Sequence, residues 1–583
     1  MPILGYALTF SYGFLLLGLI FSVVWYRKEI GRAMKGRITR NSAIALFFII
    51  LLFVIFSALF VHPLEQLYFD ENIYQGIAMN ILKNGNSFWC QYGSAFLNQC
   101  GASVVYHDPV EWSFYIAIAF AVFGISGAVS YAVQMFAGVL LIIAVFLLGS
   151  ALKDSRVGVL SALGIAVMPE LMIWSRTQAV PDLAFAAFAT LSFFFFVLFC
   201  EDKKSSRLLP LLFALGIAVY MRTEGALLIP MLAVLYFIYG TGSVRKNFRE
   251  SVRWLRNFVD KDERSVLYLI MFTVLLVPQT YYLSGQLANP QFGQGSSGLF
   301  SVANFENNGP TNAAYFLGSY NSIGYYPAAF PPEFTALAVL GIVIAVVTAA
   351  RNRRNLAILA VLGIWFLVYF FFYSFFYAGS ATYGVDSRMM LQMHPQIAVF
   401  SAIGIVEIAG LLGGAGMPRH RKKSRRSGKI RLRNRLLSTA PYAAFIIIAA
   451  VVLVEFLPQT AILPANAPQQ SVILPATNFI ENNYTAVPQN CLVFSFTPDV
   501  WYELGRSSAQ IGYLGSTNQS FIDFEKGYRC FVLDYGYWCL VPPFHGSTCS
   551  TDINTYNRSA LDTQRIGNSG YNASFYLIRN YST

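Results

Sequence analysis

The chain has 583 residues, 56% of them hydrophobic and only 12% charged, with a mean hydropathy of +0.52. A soluble domain carries about twice that charged share, so an ordinary water-soluble fold is excluded. The formal net charge of +12 does not by itself signify nucleic acid; its position along the chain decides what it means.

Apolar runs of roughly 17–25 residues, each long enough to cross a bilayer, recur from the start. The first is Ile3–Tyr26, followed by the basic stretch Arg27–Arg40. It is too long for a signal peptide and has no basic leader, so a retained helix is expected. Ser42–Val61 is the second span, and the segment from His62 to Glu111 comes next as a loop. Within that loop, Tyr68–Gly85 opens with the adjacent carboxylates Asp70 and Glu71. Ile73, Ile77 and Ile81 then recur every four residues, with Asn72, Gln75 and Lys83 towards the other face, which predicts a short amphipathic helix along a membrane surface. Asp70 and Glu71 have two readings there: a cap and a favourable charge at the helix N-terminus, or chemistry at the membrane boundary. Trp112–Phe123 is apolar but short, and is expected to be juxtamembrane or re-entrant. Further spans are expected at about 128–151, 157–175, 181–200, 208–222, 225–240, 265–284, 333–350, 356–376, 395–412 and 437–457, roughly twelve crossings with the first two.

The basic residues test this topology. Of the 41 Lys and Arg, 31 fall in segments assigned to one side: 27–40, 153–156, 203–207, 245–264, 351–354 and 419–435. That bias marks the cytoplasmic face, and the run Arg419–Arg435 is an orientation signal with affinity for anionic lipid rather than a nucleic-acid site. On the exterior, Gln286–Pro332 is a long Gly-, Asn- and Tyr-rich loop without an apolar span, a size usually reserved for function. Its Phe292–Gly298 run lacks the Gly-Lys-Ser/Thr of a phosphate-binding loop.

Beyond Leu457 the composition changes. Ala476–Asn483 and Pro498–Gly505 read as helices; Cys491–Phe496, Cys530–Leu540 and Ser574–Arg579 read as strands. A small α/β domain results, stapled by cysteines. Cys491, Cys530, Cys539 and Cys549 lie in it, Cys90 and Cys100 share the first outer loop, and Cys200 stands alone. None forms the tight CxxC pairs of a zinc site. Five N-x-S/T sequons, at Asn483, Asn518, Asn557, Asn572 and Asn580, cluster in the tail and agree with an exterior location. The chain therefore divides into residues 1–41, an extra transmembrane helix and basic loop; 42–457, the membrane domain; and 458–583, an extracytoplasmic α/β domain.

With this topology, ionisable residues collect at the outer face: Asp70 and Glu71; His107 and Asp108 before Pro109; Arg176 and Asp182 in WSRTQAVPD; Arg222 and Glu224 in YMRTEG; Asp386, Arg388 and His394 in VDSRMMLQMHP. Each alone fits a helix cap, an interfacial anchor or an internal ion pair. Together, carboxylates and arginines at one face suit an anionic, membrane-borne substrate.

These motifs resemble the GT-C superfamily of polyprenyl-phosphate-sugar-dependent glycosyltransferases, in particular the branch of protein O-mannosyltransferases and the lipid A aminoarabinose transferase. The likeness runs from about Ser42 to Ile405. DENIYQGIAMNILKNG is similar to the first-loop Asp-Glu motif, VYHDPVEWSFYIAIAFAVFG to the Pro-anchored juxtamembrane helix, and SRTQAVPDLAFAAF to the second-loop motif with its Asp. RTEG resembles an Arg-x-Glu-Gly between two later spans, and SRMMLQMHPQIAVF the Arg-containing stretch before a late helix. Asp108 departs from the pattern, since many relatives carry Lys or Pro there. The resemblance implies a GT-C-like polytopic α-helical membrane protein that moves a sugar, with inversion, from a polyprenyl (dolichyl) phosphate to an acceptor hydroxyl at the outer membrane face. The acceptor is a protein, lipid or glycan.

By motif, Asp70 is the base and Glu71 its neighbour. Asp182 orients the acceptor or, with Asp70, holds a divalent cation; no other cofactor is expected. Arg222 and Arg388 grip phosphate, with His107, Asp108, Arg176 and Glu224 completing the substrate site. Nucleic acid is not an expected partner. Three other readings stand beside this one: an oligosaccharyltransferase, whose Trp-Trp-Asp-Tyr-Gly signature survives here only as Asp534-Tyr535-Gly536; a transporter, whose charges should line a mid-span path; and a non-catalytic scaffold whose glycosylated outer domain binds partners.

Overall fold

The computed structural model describes residues 2–61, 69–88, 109–176, 179–202, 204–239, 263–288, 299–318, 330–349, 353–381, 387–412, 439–455, 470–496, 498–515, 519–536, 539, 556–566 and 571–579. His107, Asp108, Asp386, the Cys90 and Cys100 pair and the Arg419–Arg435 run lie outside the described residues, as do Cys549 and the sequons at Asn518 and Asn580.

Helices dominate because long apolar sequence in a bilayer must satisfy its backbone internally. In chain order they are α1 Pro2–Trp25, α2 Arg27–Met34, α3 Arg40–Phe60, α4 Phe69–Asn84, α5 Glu111–Phe123, α6 Gly127–Leu152, α7 Ser155–Ala166, α8 Pro169–Trp174, α9 Asp182–Asp202, α10 Ser205–Met221 and α11 Leu228–Tyr239. Beyond these come α12 Glu263–Ala288, α13 Val302–Phe316, α14 Pro332–Ala349, α15 Arg353–Phe375, α16 His394–Leu412 and α17 Thr439–Glu455. Among the described residues, seven of the helical segments are long and apolar enough to cross a membrane; α5, α7, α10, α14, α17 and the segment Thr223–Ile238 are shorter apolar helices. α9 is the hub: it packs on α6 and α10, and every residue from Asp182 to Cys200 is buried. By contrast α3 leaves Phe47, Phe48, Ile55 and Leu59 exposed, as a helix at a lipid boundary does.

Three expectations are revised. The run 157–175 is one span on hydropathy, but it breaks into α7 and α8 where Pro169, which has no N–H to donate, begins the second helix. The loop Gln286–Pro332 contains a full helix, α13, packed against α15. And α4 is not a surface helix with one wet face. Gln75 and Asn80 are buried as well as Ile73 and Ile77, and Asn80 donates Nδ2–H to the Phe88 carbonyl at 2.8 Å.

The tail folds as α18 Gln470–Asn483, β1 Cys491–Ser495, α19 Pro498–Glu503, β2 Ser508–Gln510, α20 Gln519–Glu525, β3 Cys530–Tyr535, β4 Asn557–Ile566 and β5 Tyr571–Arg579. The sheet order is β2-β1-β3-β5-β4, parallel through β2, β1 and β3 and antiparallel beyond. β2, α20 and β4 add to the elements expected from sequence; the polar β4 owes its state to pairing with β5. Cys491 and Cys530, opposite each other on β1 and β3, form a disulfide, and Cys539 is also disulfide-bonded. Cys200 is buried and not disulfide-bonded, in keeping with its isolation in the sequence. This domain rests on the bundle: Ile173 of α8 joins its core with Phe479 and Trp501, and α19 touches α4.

The bundle is sorted by charge. α9 runs from Asp182 at one end to Asp202 at the other, and α10 returns. At the far end Arg37 pairs with Glu201 at 2.6 Å and bonds the Ala151 carbonyl, Arg207 pairs with Asp202 at 2.9 Å, and Lys153 pairs with Glu407. Arg37, Lys153 and Arg207, from three of the basic segments, thus share one end, opposite Asp182 and Arg222.

Candidate active site

The reversal between α9 and α10 explains how residues forty positions apart meet. Asp182 is the first residue of α9, and Arg222 comes directly after the last residue of α10. The Arg222 guanidinium donates Nη1–H to Asp182 Oδ1 at 2.7 Å and Nε–H to Glu224 Oε1 at 2.5 Å. All three side chains are nearly enclosed, at 12%, 1% and 6% exposure for Arg222, Asp182 and Glu224. Charges so placed must be paired to be tolerated.

Glu224 sits in a 3-10 turn, Thr223–Leu227, and α15 completes its shell: Tyr373 donates its hydroxyl to Glu224 Oε1 at 2.6 Å, and Tyr369 donates to the Glu224 carbonyl at 3.2 Å. Arg222 Nη2 lies 3.6 Å from Met389 Sδ, which brings the Arg388 segment alongside. Asp182 Oδ2 is buried without a hydrogen bond. The glycine of RTEG has a steric reason: a Cβ on Gly225 would stand 2.3 Å from the Ala218 carbonyl oxygen, so the turn can press on α10 only without a side chain.

Next to this cluster lies an apolar groove of about 540 Å³, lined by Leu227, Phe300, Val302, Val368, Phe372 and Phe375. Leu227 closes the Glu224 turn. On α15, Val368, Phe372 and Phe375 form the stripe beside the one that carries Tyr369 and Tyr373.

The other expected residues are more dispersed. Asp70 is the second residue of α4, its side chain outside the described set; Glu71 is buried on the same helix, which packs against α5. Arg176 lies just beyond α8 and donates Nε–H to the Val61 carbonyl at 3.4 Å, and burial lowers its pKa from the usual guanidinium value. Arg388 opens the 3-10 turn Arg388–Met393. The structure therefore unites Asp182, Arg222 and Glu224. The expected Asp70–Asp182 cation pair involves a side chain that is not described, and among the described residues no three metal-ligating side chains converge.

Sequence reasoning missed Glu170, Tyr315, Tyr369, Tyr373 and Ser387. Tyrosines in apolar helices read as ordinary core or interface residues. Glu170 alone gave a signal, as a carboxylate inside the expected span 157–175. Asp534 of the tail accepts from Ser495 Oγ at 2.7 Å and Trp501 Nε1 at 2.9 Å, and burial pushes its pKa up to about 6.

Residues 107–259, about a quarter of the chain, match the family of dolichyl-phosphate-mannose-protein mannosyltransferases, a stretch that includes Arg176, Asp182, Arg222 and Glu224. No curated protein matches the whole sequence significantly. The fold is that of ArnT from Cupriavidus metallidurans in its apo state, with a TM-score of 0.54, 12% identity, 93% of this chain covered and 98% of that one. The chain has the GT-C fold. ArnT bound to undecaprenyl phosphate gives a TM-score of 0.49 at 12% identity, covering 92% of this chain and 98% of that one. An oligosaccharyltransferase of Archaeoglobus fulgidus gives 0.49 at 14%, covering 91% of this chain and 74% of that one. Family and fold together support a GT-C superfamily membrane glycosyltransferase.

Proposed function

We propose that this protein transfers a sugar from a polyprenyl (dolichyl) phosphate to an acceptor hydroxyl at the extracytoplasmic membrane face, with inversion. The observation that carries the reading is the interlocked Asp182–Arg222–Glu224 cluster, whose turn ends at Leu227 in the wall of an apolar groove. A polyprenyl-phosphate sugar has that same polarity, a charged head on a long hydrocarbon. The matched family, described by its dolichyl-phosphate-mannose donor, supports a lipid-linked donor for this chain too.

In this reading Asp70, with Glu71 beside it, takes the proton of the acceptor hydroxyl. The acceptor oxygen bonds to the anomeric carbon from the face opposite the phosphate. The carbon–oxygen bond to phosphate breaks and its electron pair leaves with the polyprenyl phosphate. Phosphate is a good leaving group, so stabilising its charge matters more than protonating it. Arg388 grips it, since a guanidinium fork matches phosphate oxygens. Arg222, expected from its motif in the same role, is engaged by two carboxylates and orders Asp182, which orients the acceptor.

The test is transfer by purified full-length protein in lipid, given a panel of labelled polyprenyl-phosphate sugars and a membrane extract. Asp70→Asn is expected to bind donor and lose transfer; near-normal turnover in that variant would remove Asp70 from the role. Transfer of a whole lipid-linked glycan instead of a single sugar would favour the oligosaccharyltransferase alternative.

A further inference from the structure

α8 is a six-residue helix between α7 and the turn that carries Arg176, and its Glu170 is almost completely buried. Glu170 Oε2 accepts Trp174 Nε1–H at 3.0 Å, and Oε1 accepts the Ser387 hydroxyl at 2.5 Å. Ser387 is the residue before Arg388, and Trp174 lies two before Arg176. One carboxylate is thus bonded, through near neighbours in sequence, to the segments of two arginines that come from distant parts of the chain.

A third element closes the node. Tyr315 of α13 is fully buried, hydrogen-bonds Glu170, and lies 3.0 Å from His394 Nε2. Burial and the Glu170 charge raise its pKa well above the ordinary phenol value, so its hydroxyl keeps its proton and can donate it to the carboxylate. Then His394 Nε2–H donates to the Tyr315 oxygen and Nδ1 is the bare nitrogen, in agreement with its lack of a hydrogen-bond partner.

α13 is itself pinned. Asn304, Asn308 and Asn312, spaced four apart on one face, donate to the carbonyls of Phe375, Phe376 and Gly379 at 3.1, 2.7 and 3.1 Å. Asn312 Oδ1 accepts Ala381 N–H at 2.7 Å. The chain is therefore held on both sides of residues 382–386, by the asparagine ladder before them and by Ser387 after them.

We propose that Glu170 is a positioning residue for the lipid-linked donor: through Ser387 and Trp174 it sets Arg388 and Arg176 so that both can engage the donor phosphate. The proposal rests on the transfer function above. A merely structural carboxylate would affect folding and all functions alike. A positioning one acts on phosphate affinity and works through Arg388 and Arg176.

The experiment measures equilibrium binding of a short-chain polyprenyl phosphate to the full-length protein in detergent, alongside donor KM and kcat in transfer. Losing a hydrogen bond to a charged group corresponds to roughly a tenfold effect or more. Glu170→Gln is expected to weaken phosphate binding and raise donor KM on the order of tenfold, with kcat at saturating donor little changed. Combined with Arg388→Met and Arg176→Met together, it should weaken binding no further than that arginine pair alone. Unchanged binding in folded Glu170→Gln, or full additivity with the arginine pair, would overturn the proposal. Should Glu170→Gln not fold, Tyr315→Phe and Ser387→Ala decide: weaker binding in both supports it, and wild-type binding in both overturns it. A wild-type protein that binds polyprenyl phosphate but transfers no sugar would count against the transferase reading, while the binding arm still judges Glu170.

Discussion

Arg222→Leu removes the cation that pairs with two buried carboxylates. Arg222 meets Asp182 at 2.7 Å and Glu224 at 2.5 Å, with both acids almost fully enclosed. Breaking a buried pair by removing one partner costs about 3–5 kcal/mol, because the charge left behind is desolvated and unpaired. Two acids are stranded here, but Tyr373 and Tyr369 go on donating to Glu224, so the loss should fall short of twice that figure. About 4–6 kcal/mol is expected. The assay is denaturant unfolding of full-length protein in micelles, with transfer measured in parallel. The triple variant Arg222→Leu, Asp182→Asn, Glu224→Gln carries no stranded charge and should recover most of the stability while remaining inactive. Arg222→Lys keeps the charge but lacks the fork that spans both carboxylates, and should lie between. The reasoning fails if Arg222→Leu unfolds within about 1 kcal/mol of wild type, or if the triple variant is less stable than the single one.

Three further outcomes are expected, one at this cluster and two in the tail domain. Gly225→Ala should cost at least about 2 kcal/mol and abolish transfer, because the new methyl meets the Ala218 carbonyl and must displace the Glu224 turn; thermal unfolding and activity check it. Asp534 titrates near 6 when folded, above its ordinary 3.8. A raised carboxylate favours the folded state fully only below its unfolded pKa, so the tail domain should lose about 3 kcal/mol as pH rises from about 3 to well above 6. Asp534→Asn should flatten that loss, as measured by hydrogen exchange of β1 and β3 corrected for intrinsic rates. The Cys491–Cys530 bond closes a separation of 39 residues; replacing both with Ser should cost the tail about 4 kcal/mol on the chain-entropy account, read as lower resistance to proteolysis of β1 and β3 in the intact chain.

Sequence alone settled the features that solvent and periodicity dictate. Hydropathy gave the helices, because a bilayer admits few other backbones, and the uneven spread of Lys and Arg separated one end of the bundle from the other. The disulfide-stapled tail was legible in its composition and its cysteines. The Asp182, Arg222 and Glu224 motifs were visible because a charge at a helix end within apolar sequence is conspicuous whatever it touches. Which charges touch which was not written locally. The antiparallel return of α9 and α10 puts Asp182 on Arg222, and the crossing of α15 adds two tyrosines that look like any other core aromatics. The break at Pro169 turned an expected span into a short helix whose Glu170 reaches Ser387, more than two hundred residues on. The loop that carried no apolar signal became α13, since its asparagines find their partners only on the end of another helix. Hydrophobic pattern is a property of neighbours in sequence. Buried polar contacts need partners brought from a distance, and only the tertiary structure names them.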